Sequence, residues 1–505
     1  MIGTVVTDGK PGWDEAEAPL LAALVRMAGR IRLPLFVPGH KQGRLLPGRL
    51  SPWLGAAAKI DLTELPGLDN LHRAEGCILR SEALAAAHYG AEWCLFSVNG
   101  STAGVMAALL AAAPGGKVVF AGPFHQSAWR GLVVAGAEPV LIPGAWDAGR
   151  QVVRPPAPAE VARVLEDAQG IRAVYVTSPT YAGVRAQVRE LAEVAHQHGV
   201  PLIVDEAHGA HFGLVPELPP HSIQEGADVV VQSVHKMLPG LTQTAWVLGQ
   251  GRRVDRVAVA EALSALQTTS PSYLLLASLD AAQLWLRTEG ADAAASAVAA
   301  MEAVWQAYPH HRLDDPLRHF LPTGGMAASQ RVQAALQDAG IWVEYADPLG
   351  VLSVFGLAAE PVGVGRYLDA LTGVAPPARP SLVGPSPGGR PAAEVSAAGS
   401  DAGLASPLVR LMAHSAAPLA AAPREVFFAP RTWVPVGTAA GRVAAGLITP
   451  YPPGVPVVLP GQSLDEELCA ALSALLETEY EVHGVDAAGN IPVLQEGGVA
   501  GVHHV

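Results

Sequence analysis

The residue types that can do acid–base or nucleophilic chemistry recur directly after short apolar runs of the chain. In an open parallel sheet the carboxyl ends of the strands face one crevice, and ligands bind there. The runs PLIV, KVVFAG, CLFSV and VVVQ are followed in this way by Asp205, by His125, by Gly100-Ser101-Thr102, and by Ser233, His235 and Lys236. The sequence therefore predicts an active site that combines a lysine, a carboxylate, imidazoles and hydroxyls.

Lys236 gives the strongest chemical signal, because it lies in the apolar, proline-bearing segment VHKMLP. An ordinary surface lysine is the simplest alternative. The preceding strand favours a side chain that points into a cleft, where partial desolvation would make its proton easier to lose. A lysine that loses its proton readily is a nucleophile for a carbonyl group, so we expect covalent carbonyl chemistry at Lys236.

Two further motifs leave alternatives open. Gly100-Ser101-Thr102 opens a predicted helix, where free N–H groups and hydroxyls can hold a phosphate, although an ordinary N-cap explains the same residues. Asp205 begins the motif DEAHGAH, in which His208 and His211 are conceivable metal ligands. Their spacing matches no common zinc signature in full, so we predict no metal site.

The elements that must position these residues alternate between strands and helices from about residue 93. Strand-like runs occur at 94–98, 117–121, 174–177, 201–204 and 228–232. The helical patterns between them indicate crossover units, and so predict an α/β fold with a mostly parallel sheet and helices on both faces. Outside this region we predict a helix over 15–30, an extended segment over 33–37 and a helix over 465–479.

Length and composition set limits on the whole chain. A chain of 505 residues is too long for one core, so we predict an N-terminal segment and major domain over 1–290 and a small C-terminal domain over 291–505. Residues 373–407 are rich in Pro, Gly, Ala and Ser, which predicts a flexible insertion in the small domain. The formal net charge of −13 disfavours nucleic acid and anionic membranes as partners.

Cysteine use and hydropathy indicate the compartment. Cys77, Cys94 and Cys469 are far apart and form no CxxC pair, which fits a reducing cytosol. The N-terminus is acidic where a signal peptide is basic. The uncharged run 95–113 is long enough to span a bilayer, but the polar turn in its middle predicts buried α/β structure. We therefore expect a cytoplasmic protein that does not associate with membranes.

Sequence blocks spread over most of the chain resemble one enzyme family. The segment SVHKMLPGLTQT, from Ser233 to Thr244, resembles the pyridoxal-phosphate (PLP) attachment signature of the Orn/Lys/Arg decarboxylases, which have the aspartate-aminotransferase-like fold, PLP fold type I. Further blocks resemble the family in the same order: PGHKQG, DLTE, NGST, SPTY, DEAHGAH, TTSPSY, REVFFAP and PYPPG. The resemblance implies a large PLP-binding domain and a smaller α/β C-terminal domain, and it leaves out 373–407.

The resemblance implies a role for each matching residue. Lys236 would form the Schiff base with PLP, Asp205 would pair with the pyridine nitrogen, and His125 would stack on the ring. Either Lys236 or His235 is the candidate proton donor to the substrate carbon. The other cofactor contacts implied are Ser101, Thr102, Ser233 and His235 around the phosphate, His208 near the phenolic oxygen, and Ser272, which would reach the cofactor of the neighbouring subunit in a homodimer or higher homo-oligomer.

The function implied by the resemblance is PLP-dependent decarboxylation of a basic L-amino acid, with arginine favoured over lysine and ornithine. The short chain resembles the biosynthetic members that serve polyamine biosynthesis. Two departures occur, since the family often has HKS where this chain has HQS at 125–127, and PGE where it has PGQ at 460–462. The second departure bears on substrate choice.

Two other functions stay open. One is another PLP reaction on the same fold, such as transamination or aldol cleavage. Aminotransferases of this fold usually bind the substrate carboxylate with an arginine of the small domain, and Arg424 could be mistaken for that arginine. The other is a non-catalytic homologue, which predicts loss of Lys236 or Asp205, and both residues are present.

Overall fold

A computed structural model gives the fold of most of the chain. Residues 376–407 of the predicted insertion, and Pro452 and Pro453 of the PYPPG block, lie outside the residues that it describes. The described residues are 14–375, 411, 417–451, 454–478, 480–495, 497 and 499.

Helices form where the sequence has helical spacing, and several begin at a side chain that accepts a first-turn N–H, as at Asp255 and Asp465. The helix predicted over 15–30 begins only at Pro19. The helices are α1 Pro19–Arg30, α2 Ser51–Leu54, α3 Cys77–Tyr89, α4 Gly100–Ala112, α5 Gln126–Ala135, α6 Pro158–Asp167, α7 Val188–Gln197, α8 Val234–Met237, α9 Arg256–Leu266, α10 Tyr273–Thr288, α11 Gly290–Ala307, α12 Met326–Asp338, α13 Pro361–Thr372, α14 Pro423–Phe428 and α15 Glu466–Leu476.

Four of the five strands that the sequence predicts are present within one residue of the predicted bounds, and the strand predicted over 174–177 begins three residues earlier, at Ile171. The segment 33–37, expected to be extended, consists of bends and loop and pairs with no described strand. The strands are β1 Trp93–Ser97, β2 Lys117–Ala121, β3 Glu138–Ile142, β4 Ala145–Asp147, β5 Val152–Arg154, β6 Ile171–Thr177, β7 Leu202–Asp205, β8 Val229–Ser233, β9 Ala245–Gly249, β10 Arg318–Pro322, β11 Tyr345–Ala346, β12 Gly350–Val354, β13 Arg431–Pro435, β14 Thr449–Tyr451, β15 Glu481–His483 and β16 Asn490–Leu494.

Residue contacts divide the chain into two compact units. The first comprises 1–114 and 188–294, and the second comprises 115–187 and 295–505. Each unit contains both helices and strands, as an α/β fold requires. The domain boundary near residue 290 stays a prediction.

In the first unit the strands follow the order β1-β9-β8-β7. Strand β8 runs parallel to β7, while β9 runs antiparallel to both β8 and β1. Residues 229–231 of β8 and 245–248 of β9 are fully buried. A strand that is apolar at every position, without alternation, is typical of a sheet covered on both faces. Helix α4 supplies part of that cover.

Gly104 lets helix α4 lie unusually close to the sheet. A methyl group added at Gly104 would lie 2.8 Å from Cγ1 of Val231 and 2.9 Å from Cγ2 of Val247, which is closer than carbon atoms approach. The first turn of α4 and the ends of β8 and β9 are therefore held at a fixed separation.

Strand β1 forms the edge of the first unit's strands, and side chains occupy its outward backbone groups. The N–H of Phe96 donates to Oε1 of Glu82 at 2.8 Å, and the N–H of Val98 donates to Oε1 of Gln267 at 3.3 Å. Burial raises the pKa of the Glu82 carboxyl to about 8. Side chains thus take the place of a further strand.

The second unit has several small sheets. Strands β6, β2 and β3 are neighbours in that order, and β2 pairs in parallel with both others. Strands β10-β12-β11 form an antiparallel sheet, and β13 pairs with β16 and β14 with β15. Leu468 and Leu472 of α15 pack in an apolar core with Val458 and Ile491. The predicted smaller α/β C-terminal region is thus present.

A buried histidine lies in the second unit among aromatic rings. His319 is fully buried, its Nδ1 lies 2.9 Å from the hydroxyl of Tyr367, and its ring meets Trp305 edge-on. Burial lowers the pKa of His319 to about 3, because a charged imidazolium would lose its hydration there. His319 is therefore neutral in the folded protein at neutral pH.

Two further observations concern the helices and the thiols of the described residues. Within the described residues, no helix combines the length and the apolar character that crossing a bilayer requires. Cys77, Cys94 and Cys469 are buried thiols that form no disulfide.

We predict that Gly104→Ala lowers the free energy of unfolding by about 1–3 kcal/mol, because the added methyl group forces α4 away from the sheet. Thermal melting and urea unfolding measure the change. Gly29→Ala is the matched control, since Gly29 lies in helix α1 and an added methyl group would meet nothing within 4 Å. That variant should be as stable as the wild type or slightly more stable. Equal melting temperatures for wild type and Gly104→Ala would contradict the close approach.

We predict that the contribution of His319 to stability falls as the pH drops below about 6.5, the pKa of a histidine in an unfolded chain. Because the folded pKa is lower, the unfolded chain binds the proton first, and about 1 kcal/mol is lost between pH 7 and pH 5.5.

The measurement is the pH dependence of unfolding for the wild type and for His319→Gln, which does not titrate. The comparison is needed because Asp347, whose pKa burial raises to about 6, gives a slope of opposite sign in both proteins. Identical slopes for the two proteins would show that His319 is not the neutral group described.

Candidate functional site

Lys236 lies on helix α8, directly after strand β8 ends at Ser233. Its Nζ is 3.0 Å from Nε2 of His208, in the loop after β7, so two predicted site residues meet. The partial desolvation expected for Lys236 is not present in the single chain, where the residue is exposed. The reason is local, since residues 241–243 of the following loop are themselves exposed and do not cover it.

The turn from Val98 to Thr102 has the features of an anion site. Asn99 occupies the N-cap position of α4 but makes no side-chain cap bond, and its amide donates to Leu266 O at 3.2 Å. The ordinary N-cap considered for this helix therefore does not form at Asn99. The Ser233 hydroxyl donates to the Ser101 hydroxyl at 2.7 Å. A helix start with two hydroxyls has the donors and the dipole that a phosphate group prefers.

Asp205 is buried at the carboxyl end of β7, where the sequence places it. The next residue, Glu206, is also buried and accepts from the N–H and hydroxyl of Ser222, at 2.9 and 2.6 Å, and from Nε2 of Gln232 at 2.7 Å. Because Gln232 directly precedes Ser233 on β8, this network ties the end of β7 to the end of β8. Sequence reasoning missed Glu206, although an acid beside Asp205 was a visible signal.

His235 is turned toward the start of β9. Its Nδ1 lies 2.9 Å from the carbonyl oxygen of Thr244. A carbonyl can only accept, so Nδ1 carries the proton and, in the neutral ring, Nε2 is the basic nitrogen. Burial lowers the pKa of His235, which favours the neutral ring. His235 can thus exchange a proton only through Nε2.

His125 lies in the second unit, at the N-cap of α5, and its residue is exposed. The N–H of Ser127 donates to Nδ1 of His125 at 3.2 Å. Because Nδ1 accepts, the proton of the neutral ring is on Nε2. The HQS departure leaves this cap intact, since it changes only Gln126.

Ser272, expected to reach a neighbouring subunit, is the N-cap of helix α10. Its hydroxyl accepts from the N–H of Leu275 at 3.4 Å. The following Tyr273 donates its hydroxyl to the carbonyl oxygen of Asp69. The Asp69 carboxylate accepts from the backbone N–H groups at Asn70, Glu75, Gly76, Ile78 and Leu79, and so fixes the loop beside α10.

Arg424 and Gln462, which bear on transamination and on substrate choice, each make a hydrogen bond to the backbone of the second unit. Arg424 is exposed and donates to the carbonyl oxygen of Val134, in the last turn of α5, at 3.2 Å. Gln462, the departure from PGE, is fully buried, and its Oε1 accepts from the N–H of Leu459 at 3.1 Å. A neutral amide suits that buried turn better than a carboxylate would.

His211, the second histidine of DEAHGAH, is fully buried next to the ring of Phe212. Among the residues that the structure describes, no cluster of three potential ligands could hold a metal ion. In the first unit the structure thus brings Lys236 to His208, and Ser101 to Ser233, whereas His125 belongs to the other unit.

Comparison with known families gives this arrangement a context. The family model of the Orn/Lys/Arg decarboxylase major domain matches residues 18–317, more than half of the chain, and that of the Orn/Lys/Arg decarboxylase C-terminal domain matches 408–487. The chain belongs to the Orn/Lys/Arg decarboxylase family. The resemblance seen in the sequence blocks is confirmed.

Relatives in this family match along nearly their whole length. YaaO of Bacillus subtilis, an uncharacterized protein, is 31% identical over 485 residues, which cover 92% of this chain and 96% of the relative. The arginine decarboxylase of the same organism is 30% identical over 492 residues, covering 93% and 95%. The arginine decarboxylase of Bacillus cereus is 29% identical over 465 residues, covering 88% and 96%.

Solved decarboxylase structures share the fold. The lysine decarboxylase LdcF of Francisella novicida has a TM-score of 0.74 at 17% identity, covering 95% of this chain and 82% of that one. The constitutive lysine decarboxylase of Escherichia coli gives 0.74 at 19% identity with the same coverage. The α/β fold of PLP fold type I is therefore confirmed, and the chain is a decarboxylase of basic amino acids.

Proposed function

We propose that this enzyme is a PLP-dependent arginine decarboxylase, which releases CO2 from L-arginine and forms agmatine for polyamine biosynthesis. The choice of arginine as the substrate rests on one observation. The arginine decarboxylases of Bacillus subtilis and Bacillus cereus match this chain nearly from end to end. Lysine and ornithine are the competing substrates. The proposal places the enzyme in the cytoplasm, in keeping with its free, buried thiols.

The proposed cofactor site is supported by the fit of the described residues to PLP. Lys236 supplies an amine that can bond to the cofactor's carbonyl carbon. Ser101 and Ser233, whose hydroxyls are 2.7 Å apart, would hold the phosphate together with Thr102 and the N–H groups of α4. The buried carboxylate of Asp205 would accept a hydrogen bond from the protonated pyridine nitrogen.

The chemistry divides between the cofactor and the chain. When bound, PLP supplies an electron sink for the electron pair that stays on the substrate carbon as CO2 leaves. The negative charge of Asp205 would keep the ring nitrogen protonated, which strengthens that sink. His208 lies 3.0 Å from Lys236 and can exchange a proton with its amine. Lys236, or His235 through Nε2, would return a proton to the substrate carbon.

The departure from the PGE motif at Gln462 does not contradict arginine as the substrate. The PGQ residue Gln462 is buried within its own turn, so it need not alter a substrate pocket. A guanidinium is bound best by a carboxylate that receives two parallel hydrogen bonds, whereas an ammonium is a compact point charge. A pocket built for the longer forked group leaves lysine and ornithine short of their partner.

A homodimer is part of the proposal. The segment 33–53 exposes several large apolar side chains, with Leu33, Leu35, Val37, Leu45 and Trp53 each between 66% and 83% exposed. Apolar surface of this extent on a folded chain usually marks an interface. A second copy would cover it, and the partner's equivalent of Ser272 would then complete the cofactor site.

The first test concerns Lys236. Purified enzyme incubated with PLP and then borohydride should carry the cofactor on Lys236, which peptide mass spectrometry locates. Lys236→Ala should carry none and should lose nearly all decarboxylation, since the proposed Schiff-base amine is removed. Lys117→Ala is the control, because Lys117 is an exposed lysine at the start of β2. Reducible PLP on Lys236→Ala with normal turnover would remove Lys236 from the site.

The second test concerns substrate. The specificity constants kcat/KM for arginine, lysine and ornithine are measured by amine release in one buffer, with PLP in excess. Arginine should exceed both others by at least about tenfold, which corresponds to roughly 1.4 kcal/mol of transition-state binding. A value for lysine or ornithine equal to that of arginine would overturn the substrate and leave the decarboxylase activity in place. Keto acid in place of amine and CO2 would instead indicate transamination.

A further inference from the structure

Gln243 has a backbone conformation that its residue type rarely adopts. Its φ is +85°, in the left-handed region that favours glycine. Such strain persists where surrounding contacts hold the residue, and it concentrates at functional sites. Gln243 lies in the loop between Lys236 and the first residue of β9, Ala245. The strained residue thus lies in the loop that joins the segment carrying Lys236 to strand β9.

Both polar ends of Gln243 contact the turn that begins helix α4. Its carbonyl oxygen accepts from the N–H of Gly100 at 2.8 Å, and its side-chain Nε2 donates to the carbonyl oxygen of Val98 at 2.6 Å. Gln243 therefore bonds to the backbone on both sides of Asn99, to the carbonyl oxygen of Val98 before it and to the N–H of Gly100 after it. Gly100 also has a positive φ, +71°, which glycine adopts without strain, so the strain at this contact lies in Gln243.

The neighbouring residue, Thr244, makes the matching contacts with the lysine segment. Its carbonyl oxygen accepts from the N–H of Val234 at 3.1 Å and lies 2.9 Å from Nδ1 of His235. Strand β9 begins directly after it, and Ala245 pairs with both Ser97 and Ser233. The dipeptide 243–244 is therefore the bridge between the turn at 98–102 and the segment that carries Lys236.

We propose that Gln243 is a positioning residue that holds the phosphate-binding turn in register with Lys236, and so raises the affinity for the cofactor's phosphate group. This inference rests on the proposed function. The contacts of Gln243 are with the backbone of the turn, so its role would be indirect. It acts by fixing the backbone of Val98 and Gly100, which sets the direction of the first N–H groups of α4 and of the Ser101 hydroxyl.

The test compares PLP with pyridoxal, which has the same carbonyl group and lacks the phosphate. In Gln243→Ala, the dissociation constant for PLP should rise about tenfold, while that for pyridoxal should stay within about twofold of wild type, as expected for loss of one hydrogen bond and an ordered turn. Inorganic phosphate gives a second readout, since its protection of the protein without PLP against thermal unfolding should weaken in the same variant.

Gln250→Ala is the matched control, because Gln250 follows the other end of β9 and its Nε2 also donates to backbone carbonyls, those of Ile223 and Ala227, each at 2.8 Å. That variant should lose affinity for PLP and pyridoxal equally or not at all. Gln243→Gly removes the side chain and relieves the backbone strain, so it should fold, and it should still bind PLP about tenfold more weakly.

Two results overturn the inference: PLP binding by Gln243→Gly equal to wild type, or equal weakening of PLP and pyridoxal in Gln243→Ala with unchanged phosphate protection. Failure of the proposed function has a different signature, which is that the wild-type enzyme itself carries no reducible PLP on Lys236. The phosphate readout still decides the role of Gln243 in that case.

Discussion

The approach of helix α4 to strands β8 and β9 at Gly104 sets the geometry on which the first unit's site depends. With Val231 and Val247 against it, the helix cannot slide or lift without opening a void or creating a clash. Its first turn is therefore held above the strand ends, and the Ser101 hydroxyl meets that of Ser233. The absence of a side chain at Gly104, three residues beyond Ser101, thus determines where the two hydroxyls meet.

Buried polar groups add a second level of constraint. The Glu206 carboxylate, bonded to Ser222 and Gln232, prevents the ends of β7 and β8 from moving independently, because breaking any of these bonds would strand a charge away from water. The Asp69 carboxylate likewise restrains the loop beside α10, in this case by accepting hydrogen bonds from backbone N–H groups. The candidate site residues of the first unit are thus held in place by the carboxylates of Glu206 and Asp69, for which no catalytic role is proposed.

Much of the fold and part of the site could be predicted from the sequence. The positions of Lys236, Asp205 and Ser101 at the ends of elements could be predicted because a reactive residue type after a buried strand is a local pattern, and their roles stay predictions. The exposure of Lys236 and the bends over 33–37 could not be predicted, because both depend on which other parts of the protein pack over the segment. The role of Gln243 was equally hidden, since a positive φ in a non-glycine residue leaves no trace in composition or spacing. The sequence shows that Gln462 differs from the family motif. Only the structure shows that this residue is buried in its own turn.

The capped edge of β1 has a consequence for the protein in a crowded solution. An unprotected edge strand offers a row of donors and acceptors to any other extended chain, and this is a common route to aggregation. Here the Glu82 and Gln267 side chains occupy the donors at Phe96 and Val98, so an incoming strand would have to displace both. The carboxyl of Glu82 would then be left buried and unbonded, which makes such pairing unfavourable. The strand that leads into the turn at 98–102 is thereby closed to foreign chains.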